Sequence, residues 1–209
     1  MIALIDYGSG NIRSVMNALR REDADVQLVS HRDRLEEASA IVLPGVGAFG
    51  DCVQGLQSRN LWEPLQEWLR ADRPFLGICV GYQMLFDSSE ESPGVNGFGF
   101  FAGRVKRFIT PGLKVPQIGW NQLVLKDREN PLWRGLPAQP HVYFVHSYFP
   151  EPEDDSIVTS RCSYGENFAA SVGRGNIAAV QFHPEKSQAV GLGILRNFVA
   201  AVPSMTTAA

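Results

Sequence analysis

Arg73-Pro74-Phe75-Leu76-Gly77-Ile78-Cys79-Val80-Gly81-Tyr82-Gln83-Met84-Leu85-Phe86 is the stretch whose reading decides the fold. RPFLGI (73–78) is a short apolar run entered through proline and reads as a strand, whereas Tyr82, Met84, Leu85 and Phe86 recur as in a short helix. Gly77 and Gly81 stand two before and two after Cys79, and glycines so placed let a chain turn tightly from strand to helix, as in a nucleophile elbow. A cysteine on that turn sits at the carboxyl edge of a sheet. A helix N-terminus there favours thiolate over thiol, and backbone N–H groups can hold an oxyanion. The other use of Cys79 is as a small buried hydrophobe, the usual fate of a free cysteine. Cys52 and Cys162 lack the glycine setting and read as packing residues.

Outward from the elbow, strands alternate with helices. IALI (2–5) is followed by Ile12, Val15, Met16 and Leu19 at helical spacing, VQLVS (26–30) and AIVLPG (40–45) read as strands, and 49–70 as helical. Near-continuous apolar runs suit strands covered on both faces, so the pattern predicts an α/β fold with a mostly parallel central sheet flanked by helices. From Gly94 to about Asn121 glycine, proline and aromatics are dense, which favours hairpins and an antiparallel extension. HVYFVHSYF (141–149), SIVTSRC (156–162), FAASV (168–172) and IAAVQF (177–182) follow as strands, then an apolar helix over 188–201 and a weak PSMTTAA tail. With no internal repeat and no low-complexity linker, residues 1–209 read as one domain.

Bulk properties narrow the function. Hydrophobic residues make up 44% and charged residues 20%, the usage of an ordinary globular protein. A net charge of -3, with basic residues scattered singly or in pairs such as Arg20-Arg21, supplies no general attraction for nucleic acid or an anionic membrane. MIALIDYGSG lacks the basic and apolar regions of a secretory leader, and no apolar stretch approaches the roughly 20 residues that span a bilayer. The three cysteines share no metal-ligand spacing, so no metal or cofactor is expected, and the compartment reads as reducing and cytoplasmic.

A thiolate nucleophile needs a base that can also protonate a leaving group. His183 has the best context among the four histidines, because it ends the apolar run IAAVQF and opens His183-Pro184-Glu185-Lys186. With Pro184 holding the backbone extended or turning, Glu185 can bond one ring nitrogen while the other faces the thiol, which completes a Cys79, His183, Glu185 triad. Read without Cys79, the same segment is a polar strand end with a surface Glu-Lys pair. His146 is the rival base, although a histidine in the aromatic run 143–148 is more often a satisfied structural residue. His31 and His141 read as surface residues.

The elbow through Gln83, Pro44-Gly45-Val46-Gly47, and Gln181-Phe182-His183-Pro184-Glu185-Lys186-Ser187 together resemble the class I (triad) glutamine amidotransferases, in order and spacing over nearly the whole chain. Within that superfamily, Tyr7-Gly8-Ser9-Gly10-Asn11, the PGVG loop, Ile118-Gly119-Trp120-Asn121, Tyr143 to Tyr148 and HPEKSQ are similar to the glutaminase subunits of imidazole glycerol phosphate synthase. The resemblance implies a flavodoxin-like sheet and a reaction in which Cys79 attacks the side-chain amide of glutamine, forming a thioester that water releases as glutamate. It implies that Val46, Gly47 and Val80 form the oxyanion hole and that Gln83, Ser147 and Tyr148 hold the glutamine. It further implies an ammonia-consuming cyclase subunit of (β/α)8-barrel form as a heterodimer partner, with Asn11, Trp120 and Lys186 near the interface, in histidine biosynthesis.

Val80 stands where leucine is common in the family, Tyr82 where a smaller side chain is frequent, and Gln117 where a histidine often precedes the GW segment, so Gln117 is assigned no chemistry. Competing readings are the glutaminase of pyridoxal phosphate synthase, the small subunit of anthranilate synthase, a catalytically silent subunit, and a hydrolase or chaperone of the other cysteine-elbow group. The first should carry a GGES-type loop in place of PGVG, the silent subunit should lack a triad member, and the last lacks HPEKSQ.

Overall fold

The computed structural model describes residues 1–202, and the 203–209 tail lies outside the described residues. The buried strand β1 (Ile2–Ile5) leads to α1 (Ile12–Arg20), which turns Val15, Ala18 and Leu19 into the core. Strands β2 (Val26–Val29) and β3 (Ala40–Gly45) follow. The helical stretch expected over 49–70 is two helices, α2 (Phe49–Ser58) and α3 (Trp62–Arg70). Asn60 divides them: its φ of 54° and the bonds from Asn60 N–H to the Gln57 carbonyl and from Leu61 N–H to the Leu56 carbonyl close α2 with a left-handed cap that asparagine tolerates. Then come β4 (Phe75–Cys79) and the single turn α4 (Val80–Gln83).

The second half supplies β5 (Ser88–Ser89), β6 (Gly103–Arg107), β7 (Gln117–Gln122), β8 (Val124–Leu125), β9 (His141–His146), β10 (Tyr148–Pro152), β11 (Val158–Tyr164), β12 (Glu166–Arg174), β13 (Ile177–Val180) and α5 (Gln188–Ala201). An eight-stranded sheet runs in the order β2-β1-β3-β4-β13-β12-β11-β8. Its first five strands are parallel, and β12, β11 and β8 continue it antiparallel. The mostly parallel sheet with an antiparallel extension is the architecture read from the sequence.

Local hairpins within 94–121 do not form. Instead β6 pairs with β10 and β7 with β9, both antiparallel, while β5 lies parallel to β6. The expected single strand over 141–149 accordingly divides at Ser147 and serves two small sheets. The physical reason is an aromatic cluster that no local pairing could build: Phe108 packs on Phe149, Phe168 and His146 at ring separations of 4.6, 5.3 and 5.1 Å. Burying those faces stabilises the long-range pairing over a local turn.

Candidate active site

The carboxyl ends of β1, β3, β4 and β13 face one crevice, the usual ligand position in an open α/β sheet. β4 delivers Cys79 there, buried at 4% exposure, with φ 55° and ψ -109°. So strained a residue is held because both flanking glycines are in close contact with backbone. A Cβ on Gly77 would lie 2.8 Å from the Gly81 carbonyl oxygen, and one on Gly81 would collide with the Leu43 carbonyl of β3. The elbow is real, but α4 is only four residues long. The helix dipole expected to favour thiolate is therefore that of one turn.

β13 delivers the base. Past its end, the His183 N–H donates to the Tyr143 carbonyl at 2.9 Å, and Ser187 Oγ both donates to the His183 carbonyl at 2.7 Å and accepts from the Tyr143 N–H at 3.0 Å. HPEKS is thus a turn pinned on β9. Within it His183 Nδ1 lies 2.8 Å from Glu185 Oε1, which also accepts from Asn11 Nδ2 at 3.3 Å. His183 Nε2 is buried without a hydrogen bond of good geometry. Burial opposes charge on this ring, but Cys79 and Glu185 outweigh it and push the imidazole up to about 10. The arrangement favours an imidazolium facing the sulfur of Cys79.

His146 is the opposite case. Burial pushes it down to about 4, against the pull of the Tyr148 carbonyl and with His183 adding to the depression. Its Nδ1 lies 2.8 Å from the Tyr148 carbonyl and its Nε2 3.0 Å from Gln117 Oε1, contacts that fix the ring as a structural residue. Gln117, assigned no chemistry from sequence, is that partner. His31 and His141 are exposed, as read, and Cys52 and Cys162 are buried.

Val46, Gly47, Cys79, Val80, Gln83, Ser147, Tyr148 and His183 line one cavity of about 170 Å³, the scale of a small metabolite. Gly47 turns the β3 loop at φ 99°, and the Val46 carbonyl accepts from the Ser9 hydroxyl and, at 3.6 Å, from the Cys52 thiol. Sequence reasoning missed three residues here. Glu91 lines the cavity while accepting from the Phe49 N–H at 2.8 Å, Gln181 reaches Cys79, and Cys52 steadies the loop. Only the position of Gln181 two residues before His183 could have signalled any of them.

Asn11, Trp120 and Lys186 gather outside the triad. Asn11 contacts Glu185, Lys186 Nζ lies 5.9 Å over the Tyr143 ring, and Trp120 packs edge-on against the same ring while 47% exposed. Neighbouring Ile118 is 62% exposed, so β7 presents apolar side chains beside the site. Among the described residues there is no cluster of three or more candidate metal ligands, and no helix is long and apolar enough to cross a membrane.

Residues 3–202 match the family model described as glutamine amidotransferase class-I. The chain is 49% identical over 203 residues to imidazole glycerol phosphate synthase subunit HisH of Thermosynechococcus vestitus, covering 96% of this chain and 97% of that one. It is 49% identical over 202 residues to the subunit of the same name from Methanothermobacter thermautotrophicus, covering 97% and 99%. Among solved structures, a crystal structure of a glutamine amidotransferase superposes with a TM-score of 0.75 at 18% identity, covering 96% of this chain and all of that one. The structure of PurLQS from Thermotoga maritima gives 0.74 at 18% identity, with 97% and 98% covered. At such identities the structures speak for the fold alone.

Proposed function

We propose, from the premise that this chain belongs to the glutamine amidotransferase class-I family and to the HisH subunits of imidazole glycerol phosphate synthase within it, that Cys79, His183 and Glu185 are its catalytic triad. The protein is a glutamine amidotransferase subunit of histidine biosynthesis. The observation that carries the triad is the meeting of Cys79 with a Glu185-bound His183 in the cavity that Val46 and Gly47 also line.

Cys79 thiolate attacks the side-chain carbonyl carbon of glutamine. The tetrahedral oxyanion is met by the Val80 N–H and by an N–H of the Val46-Gly47 loop. Imidazolium His183, steadied by Glu185, protonates the departing nitrogen. Ammonia leaves, and Cys79 remains as a thioester. Water, giving its proton to His183, releases glutamate and restores the thiolate. Gln83, Ser147 and Tyr148 grip the substrate, and the Glu91 carboxylate is the cavity's complement to the α-ammonium of glutamine.

The name of the relatives implies a second subunit that uses the ammonia. That partner is a cyclase of (β/α)8-barrel form, docked over Asn11, Trp120 and Lys186 and receiving ammonia by a protected route. The exposed apolar side chains of β7 beside the triad support this placement. The whole chain works as one domain, and its three unpaired cysteines suit a reducing cytoplasm. The test is ammonia release from glutamine with and without the cyclase and its ribotide ligand. Weak activity alone, strong stimulation on assembly, and none in Cys79→Ala are expected. Equal release by wild type and Cys79→Ala in the stimulated complex would refute the nucleophile.

A further inference from the structure

We propose that Gln181 is a further catalytic residue, whose side-chain amide donates a hydrogen bond to the Cys79 thiolate and holds the nucleophile in its charged form. The inference rests on the reading of Cys79 as nucleophile and extends it to a side chain outside the triad.

Gln181 follows β13, is fully buried, and is fixed by its own N–H on the Ala170 carbonyl at 2.9 Å. Its Nε2 lies 3.7 Å from Cys79 Sγ. An amide N–H can only donate, so the sulfur is the acceptor, and a thiolate accepts far better than a thiol. Which end of a carboxamide faces sulfur is set here by a backbone group. The Tyr148 carbonyl accepts from Gln83 Nε2 at 3.0 Å, which fixes the NH₂ end of Gln83. The same nitrogen donates to Gln181 Oε1 at 3.2 Å, which fixes the oxygen of Gln181 and turns its NH₂ onto the sulfur.

Two further facts point the same way. With α4 only one turn long, little helix dipole is available to the thiolate, so a dedicated donor fills that need. A fully buried carboxamide is also a costly way to fill space that leucine would fill, unless its bonds are used. Because Gln83 lines the substrate cavity and bonds Gln181, a glutamine that engages Gln83 also acts on the donor at the nucleophile.

The titratable groups around Cys79 are His183 with Glu185 behind it, His146 and Glu91 across the cavity, and Tyr7 and Cys52 from the β1 and α2 side. Their contribution is common to all variants of Gln181. The test follows alkylation of Cys79 by iodoacetamide against pH in wild type, Gln181→Met and Gln181→Glu, each assembled with the cyclase, alongside glutaminase kinetics. Gln181→Met should move the alkylation midpoint up by about one pH unit and lower kcat about tenfold with KM little changed, and Gln181→Glu should shift it further. A superimposable profile and unchanged kcat in either folded variant overturns the proposal. If neither folds, the side-chain ¹⁵N resonance of Gln181 in wild type must move as Cys79 titrates and again on alkylation. A resonance that ignores both also overturns it. Residual activity in Cys79→Ala would instead sink the nucleophile itself, which separates the two failures.

Discussion

His183 Nδ1 and Glu185 Oε1 lie 2.8 Å apart with only Pro184 between the two residues in the chain. A turn begins at Pro184 and folds the carboxylate back beneath the ring, so orientation and charge stabilisation come from one short segment. Glu185→Gln keeps the shape and removes the charge. Its kcat in the assembled enzyme should fall roughly 10²- to 10⁴-fold, with KM for glutamine moving little. Steady-state ammonia release measures it, and a loss below threefold would count against the orienting role.

The two buried histidines should bend the stability profile in opposite directions. His183 is pushed up to about 10, so the stability it contributes is complete below its ordinary value near 6.5 and fades as pH rises through about 10. His146 is pushed down to about 4, so its contribution is present above 6.5 and fades as pH falls to about 4. The His146 difference corresponds to about 3 kcal/mol across that acid window. Urea melts against pH should therefore show a flatter alkaline limb in His183→Gln and a flatter acid limb in His146→Gln. Parallel curves would refute the assignment.

Gly81→Ala should not yield a stable protein. The added methyl would run into the Leu43 carbonyl, and backbone there cannot yield without parting β3 from β4. A loss above about 3 kcal/mol is expected, against less than about 1 kcal/mol for Gly173→Ala, where a Cβ meets only ordinary contacts from 3.4 Å outward. Chemical denaturation of both variants makes the comparison.

Glu91→Gln should separate binding from chemistry. If the carboxylate receives the α-ammonium of glutamine, KM rises about tenfold or more while kcat stays within about threefold. Part of any loss could come from the Phe49 N–H that the same side chain accepts, so a control is needed. A glutamine analogue lacking the α-amino group supplies it: wild type and variant should handle that analogue alike.

Much of this was legible in the chain. The elbow, the strands IALI and AIVLPG and the helix 188–201 were readable because each is specified locally, by apolar runs and by glycines at fixed offsets. So was the Glu185–His183 pairing, since both partners share one turn. The segment 94–121 was not, because its strands pair with 141–152 and an aromatic cluster distant in sequence chooses those partners. The helix behind Cys79 was read as short, but only the structure limits it to a single turn.

By itself the sequence determined which groups react: a cysteine on a glycine-framed turn, a histidine at a strand end, and a carboxylate two residues on. Only the tertiary structure decided what surrounds them. It neutralised His146 by burial, set Ser9 and Cys52 on the Val46 carbonyl, and turned the amide of Gln181 onto the sulfur. The reason is physical. Local backbone geometry is written in neighbouring residues, whereas charge and hydrogen bonding at a buried atom depend on whatever the whole fold packs against it.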